Sequence, residues 1–201
     1  MTAVLDCNIS FIGGGNMAQA LIGGLIARGL PATRITVSDP VEQVRQLLQE
    51  KDVQVTEDNV AAIQTADVVV FAVKPQVLAQ VLKPLNGLFA GKLVISIVAG
   101  AEISTISELL GTDQVVRVMP NTPALVQTGA HGLYATDAVA EKDRNLASQV
   151  LAATGLTIWV NTEAQIDAVT AVSGSGPAYF FYLMESMIRA GKNMGLDEKT
   201  A

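Results

Sequence analysis

The chain of 201 residues contains one cysteine and one histidine. A single cysteine, Cys7, rules out an intrachain disulfide and a cysteine-rich metal site. A single histidine, His131, leaves no zinc site built on imidazoles and no histidine-based triad. Both residues read as structural, and no metal is expected. Charge is scarce: 16% of residues carry it, the net charge is −6, and no lysine or arginine cluster offsets that balance locally. Such a surface argues against a nucleic-acid groove. Long apolar runs are missing as well. The stretches 68–73 and 93–101 fall far short of the roughly 20 residues that span a bilayer. Residues 1–27 hold no lysine or arginine, and the first apolar run leads straight into a glycine turn, so no secretion signal is expected. These absences point to a cytoplasmic protein with neither a membrane nor a nucleic acid as partner.

Half of the residues are apolar, which is ample for a buried core. The length suits one large domain, or one domain and part of a second. Strand and helix signals alternate from the start, the pattern of a parallel sheet covered on both faces. Strands are expected at 8–12, 35–38, 53–55, 66–72, 93–98, 114–118, 132–135 and 157–160, about eight in all. Helices are expected at 16–28, 41–50, 59–65, 76–83, 104–110 and 140–153. Gly29 reads as the C-cap of the first helix, and Asp39 with Pro40 as N-cap and first-turn proline of the second.

The character changes near residue 163. Beyond it only helical periodicity remains, at 165–172 and 177–194, and Asp197 starts to cap another helix. The segment holding Tyr179, Phe180, Phe181, Leu183, Met184, Met187 and Ile188 is apolar on several faces and calls for burial. Either a partner chain covers it or the chain is shorter than its natural parent. The expected division is a dinucleotide-binding domain over 1–162 and a partial helical dimerisation and substrate domain over 163–201.

Chemistry concentrates at strand ends. Gly13, Gly15 and Ala18 fit G-x-G-x-x-[GA] between a strand and a helix. Gly13 permits the tight turn, Gly15 lets the backbone approach a pyrophosphate, and Ala18 allows close helix–strand contact. Unpaired N–H groups and the helix dipole then favour the anion. Asp39, at the end of the second strand, would accept hydrogen bonds from the adenosine ribose and repel a 2′-phosphate, favouring NAD. Ser38, Arg34 and Arg45 lie near enough to contact such a phosphate, and Asp39 also serves as a helix N-cap, so NADP and NAD both stand.

Further strand ends carry Ala72, Val73, Lys74 and Pro75, then the small residues 96–100, then Met119, Pro120, Asn121, Thr122 and Pro123. Lys74 either neutralises ligand charge or is a solvated loop residue. Asn121 and Thr122 either hydrogen-bond the nicotinamide side or sit in a rigid turn. The glycine–serine stretch 173–178 presents a helix N-terminus to an anion or forms a plain turn between helices.

These motifs occur in a recognisable order: Phe11-Ile12-Gly13-Gly14-Gly15-Asn16-Met17-Ala18, Ala72-Val73-Lys74-Pro75, Met119-Pro120-Asn121-Thr122-Pro123, and Val172-Ser173-Gly174-Ser175-Gly176-Pro177-Ala178-Tyr179. Together they closely resemble the pyrroline-5-carboxylate reductases, from about residue 8 to residue 201. The resemblance implies a Rossmann-type doubly wound sheet followed by the start of an all-α dimerisation domain, and a homodimer or higher homo-oligomer. It implies hydride transfer from NAD(P)H to C5 of Δ1-pyrroline-5-carboxylate, giving L-proline in the last step of its biosynthesis. By motif, Ile12, Gly13, Gly14, Gly15, Asn16 and Met17 would bind the pyrophosphate, and Asn59 with Asp39 the adenosine side. Ala72, Val73, Lys74 and Pro75 would meet the ribose and phosphates, and Ile97, Val98, Ala99 and Asn121 the nicotinamide end. Glu163, Ser175 and Gly176 fall in the substrate pocket; no catalytic acid or base is assigned.

Two departures from the family pattern matter. Asp39 stands where NADPH-using members carry a hydroxyl residue. The family also continues beyond this chain's last residue with more dimer helices and a Ser-Pro-Gly-Gly-Thr-type loop for the substrate carboxylate, so the chain reads as C-terminally truncated. Two rival functions remain at this point: another reductase of this architecture acting on a hydroxyacid, and a non-catalytic nucleotide-binding protein. The hydroxyacid enzymes usually place a lysine on the helix after the glycine loop, whereas here the first lysine beyond it is Lys192.

Overall fold

The computed structural model describes residues 5–201; the first four residues, where the expected 1–162 domain begins, lie outside the described residues. Eight strands form one sheet: β1 (Ile9–Ile12), β2 (Ile35–Ser38), β3 (Gln54–Thr56), β4 (Val68–Phe71), β5 (Leu93–Ser96), β6 (Val115–Met119), β7 (Gly129–Ala135) and β8 (Gly155–Trp159). Their spatial order is β3-β2-β1-β4-β5-β6-β7-β8. The helices are α1 (Asn16–Ala27), α2 (Glu42–Gln49), α3 (Asn59–Ile63), α4 (Leu78–Leu82), α5 (Ile103–Leu110), α6 (Glu141–Ala152), α7 (Ala164–Val169) and α8 (Gly176–Asn193). This is a doubly wound Rossmann-type sheet followed by a helical segment.

The central strands are buried along their whole length, which is why β4 reads as an unbroken apolar run, β5 is apolar up to Ser96 and β6 is apolar except at Arg117. One face packs Phe11, Val70, Ile95 and Val118 against Leu21 and Leu25 of α1 and Val150 and Leu151 of α6. The other packs Phe71, Val94 and Val115 against Ile63, Leu82, Ile106 and Leu110. Gly29, at φ +94°, closes α1: its N–H donates to the carbonyl of Ile26, and that of Leu30 donates to Leu25. This is a Schellman ending, with buried Leu30 returning the chain to the core.

Three local expectations need correction. The sheet is not wholly parallel, since β6 and β7 pair antiparallel, Val116 opposite Ala135 and Met119 opposite Gly132. The link between them, holding only the short 3₁₀ segment Thr122–Val126, is too short for a crossover. The helix expected at 76–83 is α4 flanked by 3₁₀ turns at Pro75–Val77 and Lys83–Leu85, because Pro75 and Pro84 have no N–H to extend an α ladder. Asp39 and Pro40 do not start α2, whose N-cap is Val41 without a side-chain cap. The Asp39 side chain is engaged at the glycine turn instead.

His131 lies in β7 with only 1% of its surface exposed. The Thr154 hydroxyl donates to the Leu151 carbonyl at 3.2 Å, so the 3.0 Å contact between Thr154 Oγ1 and His131 Nε2 has the ring donating. Nδ1 is then left buried without a partner. Burial pushes the His131 pKa down from 6.5 to about 4. Below pH 6.5 the unfolded chain takes up a proton that the native chain refuses until about pH 4. This contribution therefore destabilises the fold as pH falls through that window, by roughly 3 kcal/mol at its lower end, and is flat above it. Urea unfolding between pH 7.5 and 4.5 should show a steeper loss of stability for the wild type than for His131→Gln. Parallel pH profiles would refute the assignment.

Candidate cofactor and substrate site

β1 lies beside β4 although two strands separate them in sequence, so the strand order reverses between them. That reversal opens a crevice at the carboxyl ends of the strands. The glycine turn after β1 fills its floor. Gly13 adopts φ +99°, and a Cβ there would sit 2.7 Å from the carbonyl oxygen of Ala72. Its N–H donates to the Ser38 carbonyl at 2.8 Å, and the Gly14 N–H donates to Asp39 Oδ2 at 2.8 Å. The turn is thereby stitched to the end of β2.

The glycines divide their roles. A Cβ on Gly14 would lie 2.7 Å from Val44 and 2.9 Å from Leu48, so its small size serves the packing of α2. A Cβ on Gly15 would meet nothing within 4 Å, leaving the backbone open to the crevice. No side chain caps α1, and its first-turn N–H groups stay available to an anion. Two cavities flank this turn. One, of about 370 Å³, is lined by Gly13, Gly15, Asp39, Glu57 and Asn59, among others. The second, of about 340 Å³, is lined by Met17, Ile97, Val98, Ala99, Met119 and Pro120 together with Pro75. Ala72, Val73 and Lys74 line both. An elongated molecule with a central anion, bulky at each end, fits this pair of cavities.

Of the cofactor residues expected from sequence, all but Gly14, Asn16 and Asn121 line one cavity or the other. Gly14 is buried beneath α2 with its N–H held by Asp39, and Asn16 is exposed at the first position of α1. Asn121 is engaged at both ends of its amide. Oδ1 accepts from Ala130 N–H at 2.9 Å, while Nδ2 donates to Ser173 Oγ at 3.2 Å and to the Ser173 carbonyl at 3.4 Å. It ties the loop after β6 to the helical segment.

Asp39 is 9% exposed. Its Oδ1 accepts from Val41 N–H at 2.8 Å, and its own carbonyl accepts from Arg45 at 2.7 Å. Arg45 also approaches Glu57 at 3.8 Å. Arg45, whose partners Asp39 and Glu57 line the first cavity, is therefore engaged with groups of the protein. Cys7 is buried, and that burial pushes its thiol up to about 11, which keeps it protonated and inert.

The residues expected on the substrate side belong to the helical segment and the residue before it. Glu163 Oε1 accepts from Ile103 N–H at 2.8 Å and from Arg117 at 3.1 Å, and Arg117 also pairs with Asp167 at 2.8 Å. Sequence reasoning missed Arg117, although a cation inside the apolar run Val115–Met119 was a visible signal. The stretch 173–178 is no break between helices. Residues Thr170–Gly174 form a π turn in which Ser175 N–H donates to the Thr170 carbonyl at 2.8 Å. That donor is consumed within the turn, and α8 then opens at Gly176 without a side-chain cap. Ser175 and Gly176 follow this turn directly, and Gly176 is buried. The face expected to need burial is exposed in the single chain: Tyr179, Phe180, Phe181, Leu183, Met184, Met187 and Ile188 all face outward, and so does Tyr182. Among the described residues no helix is long and apolar enough to cross a membrane.

Comparisons with known proteins converge on one group. A family model described as NADP oxidoreductase coenzyme F420-dependent matches residues 8–100, and one described as pyrroline-5-carboxylate reductase dimerisation matches residues 163–201. A pyrroline-5-carboxylate reductase of Haemophilus influenzae is 50% identical over 195 residues, covering 96% of this chain and 72% of the relative. The structure of a pyrroline-5-carboxylate reductase from Coxiella burnetii superposes with a TM-score of 0.89 at 42% identity, over 98% of this chain and 74% of the other. That of Plasmodium falciparum pyrroline carboxylate reductase, solved with NADP bound, gives 0.88 at 28% identity, with 98% and 74% covered. With its crevice, its glycine turn and a close relative matched over nearly its whole length, the chain belongs to the pyrroline-5-carboxylate reductase family.

Proposed function

We propose that the protein reduces Δ1-pyrroline-5-carboxylate to L-proline with a reduced nicotinamide cofactor, in a crevice between the glycine turn and the helical segment that follows the sheet. The observation that carries this reading is the pair of cavities joined over Ala72, Val73 and Lys74 and bordered by a helical segment of the reductase dimerisation type. The cofactor supplies a hydride to C5 of the imine. The protein's contribution is placement. Gly13, Gly15 and the first turn of α1 hold the pyrophosphate; Asp39 and Asn59 border the adenosine; Lys74 offsets phosphate charge; Ile97, Val98, Ala99, Met119 and Pro120 exclude water from the reacting ring. Asn16 and Asn121 act at the edge, the second by holding Ser173 in place.

Among the described residues Lys74 is the only charged one lining the nicotinamide-end cavity, and the carboxylate on the substrate side, Glu163, has its Oε1 already engaged by Ile103 N–H and Arg117. The substrate fits such a site if it enters protonated, with orientation supplying most of the rate. Glu163, Ser175 and Gly176 border the substrate. The hydroxyacid alternative loses ground, because Lys192 lies at the far end of α8, paired with Glu198 at 3.0 Å. We place the domain boundary between residues 162 and 163, where β8 has ended and the dimerisation match begins. The outward apolar face of α8 suits a second copy of the chain, giving a homodimer or larger homo-oligomer. A cytoplasmic setting, without membrane or nucleic-acid partners, suits a lone buried thiol and a surface of net charge −6.

NADH is favoured over NADPH. Asp39 and Glu57 both line the adenosine-end cavity, and Arg45 is engaged with the Asp39 carbonyl and with Glu57, so a 2′-phosphate would meet two carboxylates there. Lys74, the cation of that lining, is shared with the second cavity and suits the pyrophosphate. Steady-state kinetics should show NADH oxidation dependent on pyrroline-5-carboxylate, and its absence in the wild type would sink the reductase reading. In Asp39→Ser the NADPH-to-NADH ratio of kcat/KM should rise about tenfold, equivalent to about 1.4 kcal/mol; an unchanged ratio would defeat the charge argument. The glycine turn gives a paired test. Gly15→Val should weaken NADH binding by at least about tenfold with little change in Tm, since its side chain enters only the ligand's space. Gly14→Val should lower Tm instead, through its clash with Val44 and Leu48. The opposite pattern would reverse these roles.

A further inference from the structure

The least expected group near the site is the guanidinium of Arg117, placed in the middle of β6 and 3% exposed. A buried cation needs anionic partners, and Arg117 takes both of its own from the start of the helical segment, Glu163 at 3.1 Å and Asp167 at 2.8 Å. A bridge serving only to fasten a helix to a sheet would end there. Here the same Glu163 oxygen also accepts from Ile103 N–H at 2.8 Å. Ile103 opens α5, immediately after the loop whose first residues, Ile97, Val98 and Ala99, line the nicotinamide-end cavity. Two residues beyond Arg117 on the same strand, Met119 lines that cavity too. Arg117 thus stands beneath both walls: the 97–102 loop on one side and, through α7 and the π turn, Ser175 and Gly176 on the other.

Building on the reductase reading above, we propose that Arg117 is a positioning residue. Through Glu163 it sets the separation between the nicotinamide-side loop and the helical wall, and so the fit of the imine substrate, without touching substrate or cofactor. The fork geometry matters, because one guanidinium reaches two carboxylates at once and a lysine ammonium at the same depth would serve one of them less well.

The test is kinetic, with a control for the distant half of the crevice. In Arg117→Met, KM for pyrroline-5-carboxylate should rise about tenfold, while the Kd of ADP-ribose, which reaches only the adenosine and pyrophosphate end, stays within about twofold. Arg117→Lys should recover part of the loss, and Asp167→Asn should show a smaller rise. Because Glu163 transmits the effect, the double variant Arg117→Met/Glu163→Gln should be no worse than the worse single variant. A folded Arg117→Met with unchanged KM would overturn the proposal. So would a parallel rise in the Kd of ADP-ribose, or multiplicative effects in the double variant. If Arg117→Met does not fold, Arg117→Lys and Glu163→Gln are judged by the same KM and Kd criteria. Amide exchange at Ile103 supplies a readout independent of turnover. It should quicken in Glu163→Gln and in the Arg117 variants even if the wild type reduces no imine, which would be a failure of the reductase reading alone; unaltered exchange would overturn the tether itself.

Discussion

A guanidinium in the middle of a buried strand constrains everything placed above it. Removing an ion from water costs several kcal/mol unless partners surround it, and breaking a buried pair costs about 3–5 kcal/mol. Arg117 therefore dictates where the chain goes after the sheet is complete. Glu163 and Asp167 must come down onto β6, which lays α7 across β6 and β7. The sheet is shaped to receive it. A Cβ on Gly132 would lie 2.8 Å from Val169, so β7 is bare where α7 presses on it. Charge selects the helix, and the missing side chain lets it approach.

The same economy of donors runs through the cofactor crevice. The N–H groups of Gly13 and Gly14 are satisfied by the end of β2 and the residue after it: Gly13 by the Ser38 carbonyl, Gly14 by the Asp39 carboxylate. The turn is fixed in place before any ligand arrives, and the donors left over belong to the start of α1. Asp39 consequently has two jobs that pull in one direction. As an acceptor from Gly14 and Val41 it rigidifies the turn, and it lines the neighbouring cavity with Glu57 and Asn59. A hydroxyl residue at this position would give up the charge and, being a weaker acceptor, part of the stitching as well.

What the sequence disclosed, and what it concealed, follows from the range of the interactions involved. The glycine turn, the strand ends at Ala72 and Ile97 and the C-cap at Gly29 depend on neighbours within one turn or one strand, and their spacing made them readable. The antiparallel return of β7 was hidden by a pattern that looked like another alternation of strand and helix; only the shortness of the Thr122–Val126 link bears on it. Asp39 and Pro40 look like a helix start by local rules, yet the carboxylate is shared between Val41 N–H and Gly14 N–H, the second distant in sequence, and α2 begins only after Val41. Arg117 and Glu163 are joined across 46 positions. Nothing in the local sequence of either announces the other, beyond the oddity of a cation among valines. The composition of 173–178 suggested an interruption, whereas one i→i+5 hydrogen bond lets the helical path continue through it.

That continuity links the interior of the site to its outer surface. α7, the π turn and α8 follow one another almost without interruption, so the segment carries Glu163 and Asp167 at one end and the exposed side chains from Tyr179 to Met187 at the other. Within a single chain the first part is clamped by Arg117 and Asn121, while the second has nothing to pack against. A helix transmits orientation along its axis, because its hydrogen-bonded turns bend only slightly without a kink. The one irregular turn lies beside Met119 and Asn121, at the mouth of the nicotinamide-end cavity. Whatever covers the apolar face of α8 therefore loads the segment at the turn that borders the cavity. The exposed apolar face and the turn beside Met119 and Asn121 belong to the same piece of backbone.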